Sequence, residues 1–164
     1  MNKDPRHLHR ALVMESRAVA RSRIFAKKAR MEERGDLRAL FRAATRSQEV
    51  ALRRCLMMLR GKIDSDLGAV LEGFLRETGR RQETYQDLEA QATAAGDGLA
   101  AATYQQSQQV AARQLELAQS AAAAVAAQPP RYLVCTVCGY LALDDPPDSC
   151  PVCGAIPLKF EEVK

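Results

Sequence analysis

The sequence predicts an all-α fold with a small metal module at its C-terminal end. Four segments of about two dozen residues each carry apolar side chains at helical spacing, and short breaks containing glycine and aspartate separate them. Near the C-terminus, two Cys-x-x-Cys pairs have the spacing of metal ligands. We therefore expect a four-helix bundle over residues 1–127, a stiff proline-containing linker over residues 128–131, and a β-rich, four-cysteine module over residues 132–164.

The first two helices are predicted over residues 6–33 and 37–60, where no proline or glycine interrupts the apolar stripe. Gly35 is expected to end the first helix and Asp36 to cap the second. Each stripe contains one polar residue, Glu15 in the first helix and Gln48 in the second. We expect Glu15 to point inward; the alternative is a partly exposed surface position.

The third helix is predicted to begin after a cap at Ser65 or Asp66, and the break Gly96-Asp97-Gly98 separates it from a fourth helix over residues 99–126. Glu77 falls between the apolar stripe residues of the third helix, so we expect it to face inward as well. The fourth helix is rich in alanine and glutamine and has little large apolar surface to bury. Association through the helices is therefore expected.

The C-terminal cysteines form the clearest functional motif. They make two Cys-x-x-Cys pairs, each followed by glycine, with eleven residues between the pairs, and the cysteines are Cys135, Cys138, Cys150 and Cys153. Four thiolates at this spacing form a tetrahedral all-sulfur site that suits iron or zinc. The glycine after each pair can adopt a positive φ, which lets the backbone turn and direct N–H groups at sulfur. Two disulfides are the alternative, disfavoured inside a cell.

Charge and hydropathy exclude several other classes of function. The net charge is +4, and the arginines are scattered among glutamates without interleaved aromatics, so we expect no nucleic-acid partner. The N-terminus lacks a signal-peptide pattern and the apolar stretch over residues 121–127 is too short to span a bilayer. We expect no membrane association and a cytoplasmic location. Cys55 is interpreted as a small core residue, with a reactive thiol as the alternative.

The cysteine module resembles rubredoxin in its Cys-Thr-Val-Cys-Gly-Tyr and Cys-Pro-Val-Cys-Gly segments, and the tail from Ile156 to Val163 looks like the end of a rubrerythrin. The segments Glu15-Ser16-Arg17-Ala18 and Phe25 to Arg30 look like the first helix of the rubrerythrin ferritin-like domain. The resemblance thus covers nearly the whole chain in the family's domain order. It implies a ferritin-like four-helix bundle, a rubredoxin-like module that binds one iron, a redox partner protein and a homodimer.

The resemblance also identifies the positions at which the family binds a di-iron centre. That centre needs glutamates from two helices and Glu-x-x-His from the other two, but the only histidines here are His7 and His9. In the third helix two alignments remain open, pairing Glu77 with either Arg80 or Phe74. The residual positions of the former site are Glu15, Gln48, Ala51, Glu77, Arg80, Gln109 and Ala112. Neutral and basic residues at most of them imply that this site is degenerate.

Three functions follow from these observations. The first is electron transfer through a mononuclear tetrathiolate iron site, with the bundle as a scaffold. The second is hydrogen peroxide reduction of the rubrerythrin type, which the resemblance implies but which the missing Glu-x-x-His motifs oppose. The third is a structural or interaction protein in which zinc occupies the same four cysteines.

Overall fold

The computed structural model describes residues 6–60, 66–123 and 130–163. Four helices are followed by a small three-stranded sheet. The chain divides into two compact units, residues 1–64 and residues 65–164. The first contains one helical hairpin, and the second contains the other hairpin with the cysteine module. The predicted linker includes residues 128 and 129, which lie outside the described residues, and the predicted domain division stays a prediction.

The helices are α1 (Arg6–Met31), α2 (Gly35–Arg60), α3 (Leu67–Ala94) and α4 (Gly98–Ala123). Their described bounds lie within about two residues of the predicted ones, the usual scatter of helix ends, while residues 124–126 of the predicted fourth helix lie outside the described part. None of these helices carries an apolar stretch long enough to cross a bilayer.

The first hairpin, α1–α2, closes through a tight turn. The α1 helix ends at Met31, and the left-handed residue after it is Glu33, with φ of 56°. The Arg34 N–H then reaches back to the Ala29 carbonyl at 2.9 Å, which satisfies a free carbonyl of the last turn. The prediction for Gly35 and Asp36 was therefore wrong: Gly35 begins α2, and Asp36 lies within its first turn, where it accepts hydrogen bonds from Arg34.

The second hairpin, α3–α4, follows the sequence prediction closely. Asp66 caps α3 by accepting the Ala69 N–H at 2.9 Å, which confirms one of the two predicted caps. Gly96, with φ of 72°, ends the turn after α3, and Asp97 accepts the Ala100 N–H at 3.0 Å at the start of α4. The buried residues of both helix pairs are mostly small, which lets the helices pack closely. They are Val19, Ser22 and Ala29 in the first hairpin, and Thr78, Ala92, Ala111, Leu117 and Ala118 in the second.

The sheet consists of β1 (Tyr132–Cys135), β2 (Leu141–Leu143) and β3 (Phe160–Glu162), all antiparallel in the order β2-β1-β3. A short 3-10 helix at Pro157–Lys159 precedes β3. The central strand β1 ends at the first cysteine of the motif, and Cys135 pairs with Phe160 across the β1–β3 ladder. The central strand of the sheet therefore positions Cys135, the first cysteine of the four-cysteine motif.

Candidate metal centre

The two cysteine pairs adopt the same backbone turn, repeated after fifteen residues. The Cys135 N–H donates to the Tyr140 carbonyl and the Cys150 N–H donates to the Ala155 carbonyl, at 2.9 and 2.8 Å. The glycine after each pair lies in the left-handed region, with φ of 88° at Gly139 and 71° at Gly154. This repetition explains why each pair ends in glycine: the turn requires a φ that other residues rarely adopt.

The four thiols converge on one point. Their sulfur atoms all lie within 4.8 Å of one another. The Cys135 and Cys153 sulfurs are 3.7 Å apart and those of Cys138 and Cys150 are 3.6 Å apart, so each pair joins the two turns. A tetrahedral site with metal–sulfur bonds of about 2.3 Å has sulfur–sulfur edges of about 3.8 Å. All four cysteines are free, so the geometry fits a metal and not the disulfide alternative.

Backbone N–H groups stabilise negative charge on the sulfurs. Burial opposes ionisation of Cys135, but the N–H groups of Cys138 and Val137, together with hydrogen bonds from the Cys153 and Cys138 thiols, outweigh it and lower its pKa to about 7. Burial raises the pKa of Cys138 and also that of Cys153, although the N–H groups of Tyr140 and Ala155 oppose the change. A metal cation would supply the positive charge that favours all four thiolates.

Surrounding elements hold the first turn in place. The N–H and the hydroxyl of Thr136 both donate to the Lys159 carbonyl, at 2.8 and 2.9 Å, and tie the turn to the 3-10 helix. On the other side, Arg113 of α4 donates from Nε to the Leu141 carbonyl at 3.2 Å. Sequence reasoning missed Arg113, because neither its spacing from the cysteines nor its position on α4 marks it as a neighbour of the site.

The predicted residual positions of a di-iron site divide between the two hairpins. In α1 and α2, Glu15 and Ala51 are half-buried, and Gln48 has a buried Oε1 with no hydrogen-bond partner among the described residues. In α4, Ala112 is half-buried and Gln109 is exposed. Whether these positions descend from metal ligands stays a prediction.

In the third helix, the residue that faces the neighbouring helix α4 is Thr78, which adjoins the predicted position Glu77. Glu77 and Arg80 are both exposed, and the buried residue of this turn of α3 is Thr78, whose exposed fraction is 2%. The face of α3 that packs on α4 passes through the residue next to Glu77, about 100° around the helix. Glu77 therefore does not face α4, and its place on the inner face of a four-helix bundle stays a prediction.

Comparison with known proteins supports the interpretation of the module. Residues 134–161 match the family model "Rubrerythrin, rubredoxin-like domain". No curated protein matches the sequence. Among solved structures, nigerythrin in a partially reduced state is similar with a TM-score of 0.58 and 16% identity, covering 99% of this chain and 88% of that one. Nigerythrin in a mixed-valence state gives a TM-score of 0.57 and 19% identity over the same shares. These likenesses establish a nigerythrin-like fold.

Proposed function

We propose that this chain is an iron-binding protein of the rubrerythrin family that transfers single electrons. The matched rubredoxin-like domain and the nigerythrin-like fold support the family assignment. The observation that carries the proposal is the set of four converging thiols, Cys135, Cys138, Cys150 and Cys153, inside residues that match a rubredoxin-like domain. Iron bound there would exchange one electron between its ferric and ferrous forms.

The protein's own groups are suited to holding that charge. The N–H groups of Val137, Cys138, Tyr140 and Ala155 point at sulfur, so they stabilise a site whose net negative charge rises on reduction. Cys135 and Cys150 are buried, whereas Cys138 and Cys153 are half-buried. A redox partner protein would approach the more accessible pair. The four free thiols also favour a reduced, cytoplasmic location.

The metal itself is tested by purifying the full chain without added metal and recording metal content and a visible spectrum. One iron per chain with strong visible absorption, lost on reduction, is expected. A colourless protein with one zinc per chain would instead support the structural alternative, since zinc has no redox chemistry.

We further propose that the di-iron ligands of the family are largely lost. Gln48 and Gln109 are neutral and no histidine lies among the residual positions. Two carboxylates do not offset the charge of two irons in a partly buried site. Peroxide reduction at enzymatic rates should therefore be absent, and three irons per chain with such turnover would establish the peroxide reductase instead.

A gain-of-function variant tests whether the residual positions are those of lost di-iron ligands. Gln48→Glu, Ala51→His, Gln109→Glu and Ala112→His restore both Glu-x-x-His motifs, and Arg80→Glu restores a carboxylate at the remaining position. We expect this variant to bind iron beyond the one in the cysteine site. The matched control carries Gln48→Asn, Gln109→Asn and Arg80→Gln, which supply no new ligands; equal iron content in both proteins would contradict the assignment of these positions.

A further inference from the structure

Arg113 of α4 is a mostly buried cation beside the first cysteine turn. Its side chain is 22% exposed and ion-pairs with Glu116 at 2.7 Å. Its Nε donates to the Leu141 carbonyl, and its guanidinium carbon lies 5.8 Å from the centroid of the Tyr140 ring. A guanidinium is withdrawn from water at a free-energy cost, so three partners at this one place argue for a specific role.

The residues that Arg113 contacts are bonded directly to the ligand turn. Tyr140 donates its N–H to the Cys138 sulfur and accepts the Cys135 N–H at its carbonyl, 2.9 Å away. Tyr140 therefore contacts two of the four ligand residues, and Arg113 holds both its ring and the next carbonyl along the chain. The helix also touches the turn at Gly139, where an added Cβ would come within 3.9 Å of Val110 Cγ1.

The second cysteine turn has no comparable support among the described residues. An added Cβ at Gly154 would meet no atom within 4 Å. The two turns share one backbone geometry but differ in surroundings, and the difference is the contact with α4.

We infer that Arg113 is a positioning residue for the metal centre, which fixes the Tyr140 ring and the Leu141 carbonyl beside the first cysteine turn and biases the site toward its reduced form. The inference rests on the proposed function. Reduction adds one negative charge to a site of four thiolates, and the electron comes from the redox partner. Arginine stays protonated throughout, so its charge stabilises the product of that step. Glu116 offsets the charge only in part, because its own side chain is 64% exposed.

Arg131 provides a matched control. It also donates to a backbone carbonyl of the module, that of Asp144 at 2.6 Å, but it does so beyond the far end of β2. It ion-pairs with Asp145 and Glu162 and is 57% exposed. Arg131→Gln thus removes one positive charge from the cysteine module itself without touching the residues that bond to the ligand turn.

The first measurement is the reduction potential of the iron-reconstituted full chain. Arg113→Gln should lower the potential, Arg113→Lys should stay near the parent because it keeps the charge, and Arg131→Gln should shift less than Arg113→Gln. Unchanged potential in Arg113→Gln, or equal shifts in the two glutamine variants, would overturn the inference.

The second measurement uses zinc-loaded protein and follows zinc transfer to a chromogenic chelator. Loss of a supporting bond near a ligand typically weakens metal binding about 10-fold or more, so Arg113→Gln should release zinc about that much faster than the parent and Arg131→Gln should not. This readout involves no redox step. A native zinc site would therefore refute the proposed electron transfer while leaving the zinc test valid, whereas parent-like zinc release from Arg113→Gln would refute the role of Arg113. Unchanged helical circular dichroism shows that the variants fold.

Discussion

Glu33 occupies in the first helical hairpin the place that Gly96 occupies in the second. Both residues follow a helix in the left-handed region, with φ of 56° and 72°. In both turns the next residue donates its N–H back into the last helical turn, from Arg34 to Ala29 and from Asp97 to Ala92, each at 2.9 Å. The same left-handed turn is thus formed by glycine, which favours it, in the second hairpin and by glutamate, which does not, in the first.

Glu33→Gly should therefore stabilise the first hairpin. Relief of the left-handed strain of a residue with a Cβ is worth about 1 kcal/mol, less the extra entropy that glycine loses on folding. The matched variant Gly96→Ala should lower the free energy of unfolding by about 1 kcal/mol for the opposite reason. Thermal unfolding followed by helical circular dichroism measures both. If Glu33→Gly instead lowers the free energy of unfolding, the glutamate side chain stabilises the hairpin by more than its left-handed backbone destabilises it.

Cys138→Ser should release the metal and unfold the small module. Loss of one of four ligands should weaken binding by at least about 100-fold, beyond the range seen for changes outside the ligand set. The helices should remain, because each hairpin has its own buried residues. Metal content and helical circular dichroism of the purified variant test this.

The matched control is Cys55→Ser in α2, which removes a half-buried thiol that is not a ligand. It should keep the metal. Collapse of the helical signal in Cys138→Ser would refute the prediction that the helices fold independently of the metal module.

Gly154→Ala should destabilise the metal-loaded module by about 1–2 kcal/mol, because φ of 71° places alanine in a strained region even though space is open there. Gly73→Ala, in the interior of α3 with equally open space, should instead stabilise its helix by about 0.5–1 kcal/mol. Differential scanning calorimetry of the two variants should show opposite shifts. A shift of the same sign in both would mean that open space, and not φ, decides the outcome.

We propose that the chain is a homodimer or higher assembly through its helices. Large apolar side chains remain exposed on the described helices, including Ile24, Leu40 and Leu99, and exposed apolar surface of this kind is typical of association. Sedimentation equilibrium at micromolar concentration should give at least twice the monomer mass of 18.0 kDa. A stable monomer under these conditions would contradict the proposal.

The sequence predicted the helices and the cysteine cluster because local patterns specify both. Helical periodicity needs only neighbouring residues, and Cys-x-x-Cys-Gly sets its own turn through one glycine φ. Two features of the structure lie beyond what local patterns determine. The turn after α1 places Glu33, not Gly35, in the left-handed position, and Thr78 rather than Glu77 faces α4.

Arg113 shows a further limit of sequence reasoning. It lies on a helix whose other residues are mostly small or neutral, and 28 positions separate it from its carbonyl partner Leu141. Only the tertiary contact of α4 with β2 brings the two together. A basic residue on a helix is usually solvated, so composition gave no reason to place Arg113 beside the cysteines.

The sheet that carries Cys135 has strands of only three or four residues. The buried side chains of the described module are Cys135, Ala142 and Cys150, so two of the three are sulfur ligands. Its interior is thus largely the metal site itself, and its folding obeys mass action. Once free metal exceeds the dissociation constant, each further tenfold rise adds about 1.4 kcal/mol to the free energy of unfolding. The folded fraction of this module therefore follows the metal available in its surroundings, while the helices have buried residues of their own.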